Sequence, residues 1–139
     1  MINLQLPQDA FHGPHCGVQA VAVVAEKPLR ETMEIFRDKC RYIKRMKRWR
    51  GSTHHYDRVK VLKHLNIDFK ALDTMHTKGV TLNSFVKNIA NPNHLYMVTT
   101  TSHVQLVKGS QILDQRGLVD ASQYWGIRKK ISHPVLQII

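Results

Sequence analysis

The chain has 139 residues, which fits one domain with one hydrophobic core, and its apolar fraction of 42% is that of an ordinary globular protein. No apolar run reaches the roughly 20 residues of a membrane span, and no secretory signal opens the sequence. We therefore expect a cytoplasmic protein that does not associate with a membrane. Two cysteines form no disulfide or zinc pattern and no cofactor is expected, while the net charge of +11 indicates attraction to acidic partners.

Residues 1–15 are predicted to form an irregular lead-in, because Pro7 and Pro14 interrupt any regular element there. From Cys16 to about Ala25 the residues are mostly small and apolar. The valines would also suit a buried strand, but the interspersed alanines favour a helix. A buried helix is therefore predicted to begin at Cys16.

Two more helices are predicted before residue 66. Lys27-Pro28 opens the first, since proline is tolerated in a first helical turn, and its apolar positions follow helical spacing. Ser52 or Thr53 is predicted to cap the second, which runs to about residue 65. The inner face of that helix is expected to comprise Tyr56, Val59 and Leu62, with Leu65 as a further candidate.

The second half of the chain is predicted to be mainly sheet. A short strand at 67–72 and a helix at 82–90, capped by Thr81 and ended by Asn91-Pro92, precede it. The β-rich runs lie at 94–101, 104–107 and 111–113, and the tail from 127 to 139 is expected to add one or two strands. Helices followed by an antiparallel sheet predict a single α+β domain spanning 1–139.

Cys16 is the first residue with a chemical interpretation. At the N-terminus of a helix, unpaired amides and the helix dipole favour a thiolate, which is the reactive form of cysteine. Gly17 directly after it would let a substrate approach closely. The alternative is that Cys16 is simply a small buried apolar residue, and position alone does not decide between the two. Cys40 faces the predicted core and is expected to contribute to packing and not to chemistry.

A general base for Cys16 is predicted at His103, at the start of a strand. If the hairpin turns at Gly109-Ser110, then Gln105 pairs with Asp114, and His103 and Asp114 become diagonal neighbours on one face. A carboxylate there could fix the imidazole tautomer, as the third member of a catalytic triad does. A three-residue turn would instead move Asp114 to the other face.

The order of these motifs resembles the small papain-like cysteine peptidases, or peptidase-like proteins, of bacteria and tailed bacteriophages. The similarity covers about residues 8 to 116: a Cys-Gly-Val-x-Ala helix start, a second amphipathic helix, a Gly-Ser-Thr helix start, and then TLNSFVKNIANPNHLYMVTTTSHVQLVKGSQILD. It implies a papain-like fold with helices packed on an antiparallel sheet. It also implies a Cys16 nucleophile, a His103 base and an Asp114 orienting group that together hydrolyse amide, isopeptide or thioester bonds.

The oxyanion donor departs from that family pattern. Papain-like enzymes usually supply a glutamine several residues before the cysteine, whereas Ala10 lies six residues before Cys16. Gln8 is predicted to take the role if the intervening loop bulges, with Gln19 as a weaker alternative. Substrate contacts are assigned to Gly17 and to Ser102, which precedes His103.

A basic segment at 37–51 supports a rival hypothesis. Eight basic residues and one acid, with Tyr42 and Trp49 interleaved, suit phosphate contacts and base stacking, although such a run is often only a solvated surface. The rival is a catalytically inactive papain-like protein that binds nucleic acid or an acidic host protein. The contact residues would be Arg41, Lys44, Arg45, Lys47, Arg48 and Arg50.

A metal site is the weakest hypothesis. His12, His15 and Cys16, or His54 and His55, could supply ligands, but their spacing matches no known zinc pattern, so no metal is predicted. Trp49 and Trp125 are expected to be half-buried surface anchors or to line a groove near the active site.

Overall fold

The computed structural model describes residues 2–11 and 13–139. Along the chain, most of the helices come before most of the strands. The helices are α1 (Cys16–Ala25), α2 (Leu29–Lys39), α3 (Arg41–Arg45), α4 (His55–His64), α5 (Thr74–Thr77) and α6 (Leu82–Ser84). The strands are β1 (Phe69–Ala71), β2 (Leu95–Thr100), β3 (His103–Lys108), β4 (Gln111–Asp114), β5 (Gly117–Asp120) and β6 (Leu136–Ile138). The predicted α+β class is confirmed. None of the described helices is long and apolar enough to cross a membrane.

The described strands form one antiparallel sheet in the order β1-β6-β2-β3-β4-β5. The β3–β4 hairpin pairs Val107 with Ile112, which confirms the predicted two-residue turn. The edge strand β5 was not predicted, because its residues are mostly exposed and lack apolar alternation. The tail adds β6 and two isolated bridges, at Lys130 and Ile131.

Side chains from both faces of the sheet are buried, as the alternation along β2 shows. Leu95 and Met97 pack into the core beneath the helices, while Tyr96 and Val98 pack into a second core with Phe85. The second core also receives apolar residues from the segment that links β5 to β6. Burial on both faces makes the central strands β2 and β3 rigid supports for residues at their ends.

Helix α1 is the central helix of the first core. Residues 17–24 are all buried, and the helix contacts α2 and α4 as well as β3 and β4. Burial of so many valines outweighs their weak preference for strands, so the predicted helix forms. Its N-terminal residue, Cys16, is thereby fixed against the start of β3.

Helix α2 begins at Leu29, with Pro28 as the preceding cap residue. The Asp9 carboxylate accepts hydrogen bonds from the Leu29 and Arg30 backbone N–H groups, at 2.7 and 3.0 Å. These contacts, with that of Arg30 the strongest, lower the pKa of Asp9 although burial opposes them. The irregular lead-in is therefore attached to the start of α2.

Helix α4 differs from its prediction in both cap and inner face. Its cap residue is His54, not Ser52 or Thr53, and the His54 N–H donates to Asp57 Oδ2 at 2.8 Å. Tyr56 is 61% exposed, so its predicted place on the inner face is wrong. The buried positions are Asp57, Arg58, Val61 and Leu62. The hydrophobic pattern of the sequence predicted the wrong buried face for α4, because two of its four buried residues are charged.

The predicted helix at 82–90 is confirmed, with an unexpected second half. Thr81 caps it, accepting from the Ser84 N–H at 3.1 Å, and α6 then continues as a π-helical turn over Phe85–Ile89. The wider turn keeps Phe85 and Leu82 buried together in the second core.

Candidate active site

Cys16 is half-buried at the first position of α1, where it faces the beginning of β3. The His103 side chain and the Val104 backbone N–H lie beside its sulfur, and both lower the pKa of the thiol. The helix places the sulfur beside unpaired amide groups, and the sheet supplies the base. The two elements meet where the sequence predicted.

His103 and Asp114 lie side by side on neighbouring strands. The His103 Nε2 atom is 3.0 Å from Asp114 Oδ2, and both side chains are buried. This is the diagonal contact expected from a two-residue turn. Because Nε2 is bonded to Asp114, Nδ1 is the ring nitrogen left to exchange a proton with the Cys16 sulfur.

Asp114 is held in place by several donors besides His103. Its Oδ1 accepts from the Arg116 N–H at 2.8 Å, and its Oδ2 accepts from the Trp125 Nε1–H at 3.0 Å. The Tyr124 hydroxyl lies 2.9 Å from Oδ2 and 3.0 Å from Gln105 Oε1, so its single proton serves one acceptor at a time. A carboxylate with this many donors remains ionised and fixed in orientation.

Trp125 covers the imidazole from the solvent side. Its ring lies edge-on to His103 with centroids 5.0 Å apart, and 44% of the residue is exposed. The Arg116 guanidinium and the Lys129 ammonium lie over the same indole, at 4.6 and 4.9 Å from its centroid. Trp125 therefore contacts the imidazole of the site, and cation–π contacts hold its ring in position. Its predicted place in the lining of a groove stays a prediction.

The pKa values of the site favour a thiolate–imidazolium pair. Burial raises the pKa of Cys16, but the hydrogen bond and positive charge of His103, the Val104 N–H and the charge of Arg58 together lower it below its ordinary value. Burial lowers the pKa of His103, but Asp114 and Cys16 outweigh that effect and raise it to about 9. Burial likewise raises the pKa of Asp114, yet His103 and the backbone and side-chain donors bring it down to about 2.

No protein-family model, curated protein or solved structure matches this chain. The chemistry of the site therefore rests on its own geometry, which joins a low-pKa thiol, an imidazole and a carboxylate in one contact chain.

The thiol opens into a cleft of about 400 Å³ between α4, the start of α1 and the β2–β3 turn. Gly17 and Ser102, the two residues predicted to contact substrate, both line it together with His103. Ser102 adopts a left-handed conformation, with φ of 60°, and is exposed at the tight turn before His103. A ligand in this cleft would lie against both residues.

The oxyanion role predicted for Gln8 is wrong. Its exposed side chain lines a different cavity, with Val23, Glu26 and Pro28 towards the far end of α1 from Cys16. The lead-in runs to the start of α2, where Asp9 is bonded, and this path carries Gln8 away from the thiol. Among residues that do line the Cys16 cleft, Gln115 carries a side-chain amide.

Gly17 is needed to make room for neighbours that the sequence did not reveal. A Cβ at this position would press against Thr53 Oγ1 and lie 2.9 Å from the Arg58 Cδ atom. Arg58 is thus packed directly against the residue after the nucleophile. Only the tertiary approach of α4 brings Arg58 to Cys16, so no local pattern could have identified it.

The basic segment is only partly as predicted. All six predicted contact residues, Arg41 to Arg50, are exposed. Trp49 is buried, with its Nε1–H donating to the Ser52 carbonyl at 2.7 Å, and the Tyr42 hydroxyl donates to Asp57 at 2.6 Å. The two aromatic residues therefore hold the segment to the core. Base stacking on the buried Trp49 is contradicted, whereas stacking on the half-buried Tyr42 stays a prediction.

Metal ligands do not gather in the described part of the chain. Among residues 2–11 and 13–139, no group of three or more His, Cys, Asp or Glu side chains could hold a metal ion. His12, one of the weighed ligands, lies outside the described residues. His54 stacks on Tyr56 with ring centroids 5.6 Å apart.

Proposed function

We propose that this chain is a cysteine hydrolase of papain-like architecture. The observation that supports this most strongly is the contact chain from the Cys16 sulfur through His103 to Asp114, opening into a cleft. A cysteine kept only for packing needs neither a buried imidazole–carboxylate pair beside it nor a depressed pKa. The proposed reaction is the hydrolysis of amide, isopeptide or thioester bonds.

In this mechanism the Cys16 thiolate attacks the carbonyl carbon of the scissile bond. The protonated His103 Nδ1 gives its proton to the departing amine or thiol, which leaves a thioester on Cys16. The neutral imidazole then takes a proton from water as the resulting hydroxide attacks the thioester. Breakdown of that intermediate releases the acid and restores the thiolate–imidazolium pair, with Asp114 holding the ring throughout.

The negative oxygen of each tetrahedral intermediate requires donors beside Cys16. The Cys16 backbone N–H belongs to the first turn of α1, whose amides have no intrahelical partner. A second donor is the Gln115 side chain, which lines the same cleft. Gln115 follows Asp114 directly, so the strand that positions the orienting carboxylate would position this donor too.

A bacterial or phage-type papain-like peptidase remains the family that the sequence resembles. In support, a cysteine begins a buried helix, and that helix packs on an antiparallel sheet that carries the histidine and aspartate. A location in the cytoplasm, of the host if the chain is phage-encoded, stays a prediction from the sequence.

Trapping the acyl-enzyme tests the proposed function. A small thioester substrate is mixed with the folded protein, which is then acid-quenched and digested for mass spectrometry. We expect the acyl group on Cys16, and none at this position in the Cys16→Ala variant. If acyl transfer is absent, or falls equally on Cys40 and surface lysines, Cys16 is not a nucleophile.

The second function is that of an inactive binding protein, supported by the six exposed cations of the basic segment. Such a surface would bind nucleic acid or an acidic protein through its charge. Retention on immobilised nucleic acid should fall steeply as salt rises. A variant that replaces Lys44, Arg45 and Lys47 with glutamine should lose this retention while its circular dichroism spectrum and thermal stability stay those of the native protein.

A further inference from the structure

The cleft beside Cys16 has an unusual lining. The described residues that line it include one arginine, four histidines and five hydroxyl side chains, and none is Asp or Glu. The only aliphatic side chains among them are those of Pro14 and Val104. A pocket for an apolar group would have the opposite composition. The lining instead offers a cation and neutral hydrogen-bond donors.

Arg58 is the fixed charge of this cleft. It is only 3% exposed, and its Nη1 and Nη2 atoms donate to Thr53 and Thr99 at 2.9 to 3.1 Å, all of these acceptors being neutral. In the described part of the chain its Nε–H has no hydrogen-bond partner, and no carboxylate lies within ion-pair distance. The neighbouring Asp57 is bonded to Tyr42 and to the His54 N–H.

A buried guanidinium without a carboxylate is costly to the fold unless some anion compensates it. Burial lowers the pKa of Arg58 to about 10, which still leaves it charged at neutral pH. The negative charges of a Cys16 thiolate and of the Asp57 carboxylate, which is not in direct contact, offset part of the cost of burial. The buried Nε–H is thus an unsatisfied donor on a residue that lines the cleft.

Two imidazoles line the same cleft as Arg58. The rings of His55 and His133 are stacked with centroids 5.5 Å apart, and both residues line the cleft. Burial, together with the charge of Arg58, lowers the pKa of each, so at neutral pH both are uncharged N–H donors. The Thr100 hydroxyl is buried in the lining of the same cleft, and the structure gives it no partner within the described residues.

We propose that this cleft binds a carboxylate of the substrate, with Arg58 as the principal contact and His55 and His133 as supporting donors. The proposal rests on the proposed function, since it names the substrates of that same site. These are amide, isopeptide or thioester substrates with a carboxylate near the scissile carbonyl. An acidic side chain or a free C-terminal carboxylate supplies the same chemistry.

Paired alkylating reagents test this subsite. Iodoacetate and iodoacetamide differ only in charge, so the ratio of their rates at Cys16 reports a local anion preference. We expect Arg58→Gln to lower this ratio by about tenfold, because a charge-assisted contact is lost. The control Arg45→Gln removes the same charge from the exposed basic segment and should change the ratio less than about twofold. Equal ratios in the two variants would overturn the subsite.

The source of the carboxylate is distinguished by protection. N-acetylaspartate amide presents only a side-chain carboxylate, and N-acetylalanine presents only a C-terminal one. At least one should slow alkylation of Cys16 in the native protein and not in Arg58→Gln. If neither protects, the proposed subsite is wrong.

Failure of the subsite and failure of the hydrolase are separable. Sluggish iodoacetamide labelling of Cys16 would count against the hydrolase alone. Binding of the same two acids can still be followed, through the imidazole NMR signals of His55, which lies in the same cleft. Saturable shifts that Arg58→Gln abolishes support the subsite, and their absence in the native protein contradicts it. Should Arg58→Gln not fold, His133→Gln replaces it, because His133 is exposed and should only weaken binding several-fold.

Discussion

The two cysteines of this chain show how one side chain can be made reactive or inert by its surroundings. Cys16 begins α1 next to an imidazole, and its pKa is lowered. Cys40 lies buried between α2 and α3, where burial and the Asp57 carboxylate raise its pKa to about 12. Cys16 is half-buried and Cys40 is buried, but burial raises the pKa of both thiols, so it does not explain why the two pKa values shift in opposite directions.

The difference lies in the charge of the partner. At Cys16 the charges of His103 and Arg58 and the Val104 N–H offset the cost of burying a thiolate, whereas at Cys40 a carboxylate adds to that cost. Cys40 serves as an internal control for every measurement on Cys16, because both thiols are in the same folded molecule.

Replacing each cysteine by alanine should give the largest contrast. Cys16→Ala is expected to lower the rate of thioester hydrolysis by at least about a thousandfold, since the nucleophile is lost. Cys40→Ala should leave this rate within about twofold and instead lower the free energy of unfolding by roughly 1 kcal/mol. Steady-state kinetics and urea unfolding measure the two effects. A larger kinetic loss in Cys40→Ala would reverse the assignment.

The next largest effect concerns the base. His103→Gln should slow hydrolysis by about a hundredfold to ten-thousandfold, because general acid and base catalysis are both removed. His64→Gln, at the exposed end of α4, is the matched control and should retain the native rate. If both variants are equally active, the imidazole beside Cys16 has no role in catalysis.

Asp114→Asn should act through the histidine. The amide cannot stabilise the imidazolium, so the pKa of His103 falls and the upper limit of the active pH range moves down from about 9. Activity at neutral pH should drop by roughly a hundredfold or more. An unchanged pH profile would contradict this role.

The same pair predicts how stability depends on pH. The pKa of His103 is raised by folding, so its stabilisation is fully present below its ordinary value of 6.5 and is lost as pH rises through about 9. The native protein should therefore lose more thermal stability than Asp114→Asn between about pH 6 and about pH 10. Equal losses in the two proteins would show that the pair is not coupled to folding.

The smallest expected effect belongs to Trp125→Phe. Phenylalanine keeps a ring over His103 but cannot donate to Asp114, which retains its contacts with Arg116 and His103. We expect a loss of about threefold to tenfold in the hydrolysis rate, typical of one lost hydrogen bond. A loss as large as that of Asp114→Asn would contradict this, because it would mean that the Trp125 N–H is worth as much to the site as the whole Asp114 carboxylate.

The parts of the site that follow from local rules could be predicted. A two-residue turn fixes which strand residues face each other, so His103 and Asp114 were correctly paired from the sequence. The run of alanine and valine likewise placed Cys16 at a helix start. Both inferences depend on residues close together in the chain.

The parts that depend on tertiary approach could not be predicted. The path of the irregular lead-in has no periodic signal, and it carries Gln8 away from the thiol. Arg58 reaches Cys16 from α4, whose buried face carries two charged residues that hydrophobic patterning assigns to solvent. Trp125 reaches His103 through a 3₁₀ turn that follows an edge strand without apolar alternation.

Competitive alkylation of the two cysteines across a pH series tests the central claim most directly. A limiting amount of iodoacetamide is divided between Cys16 and Cys40, and mass spectrometry reads the ratio in the native protein and in His103→Ala. The account predicts that Cys16 reacts at least about a hundredfold faster near neutral pH, and that its advantage falls sharply without the imidazole. Equal and slow labelling of both cysteines, or an advantage that persists in His103→Ala, would contradict it.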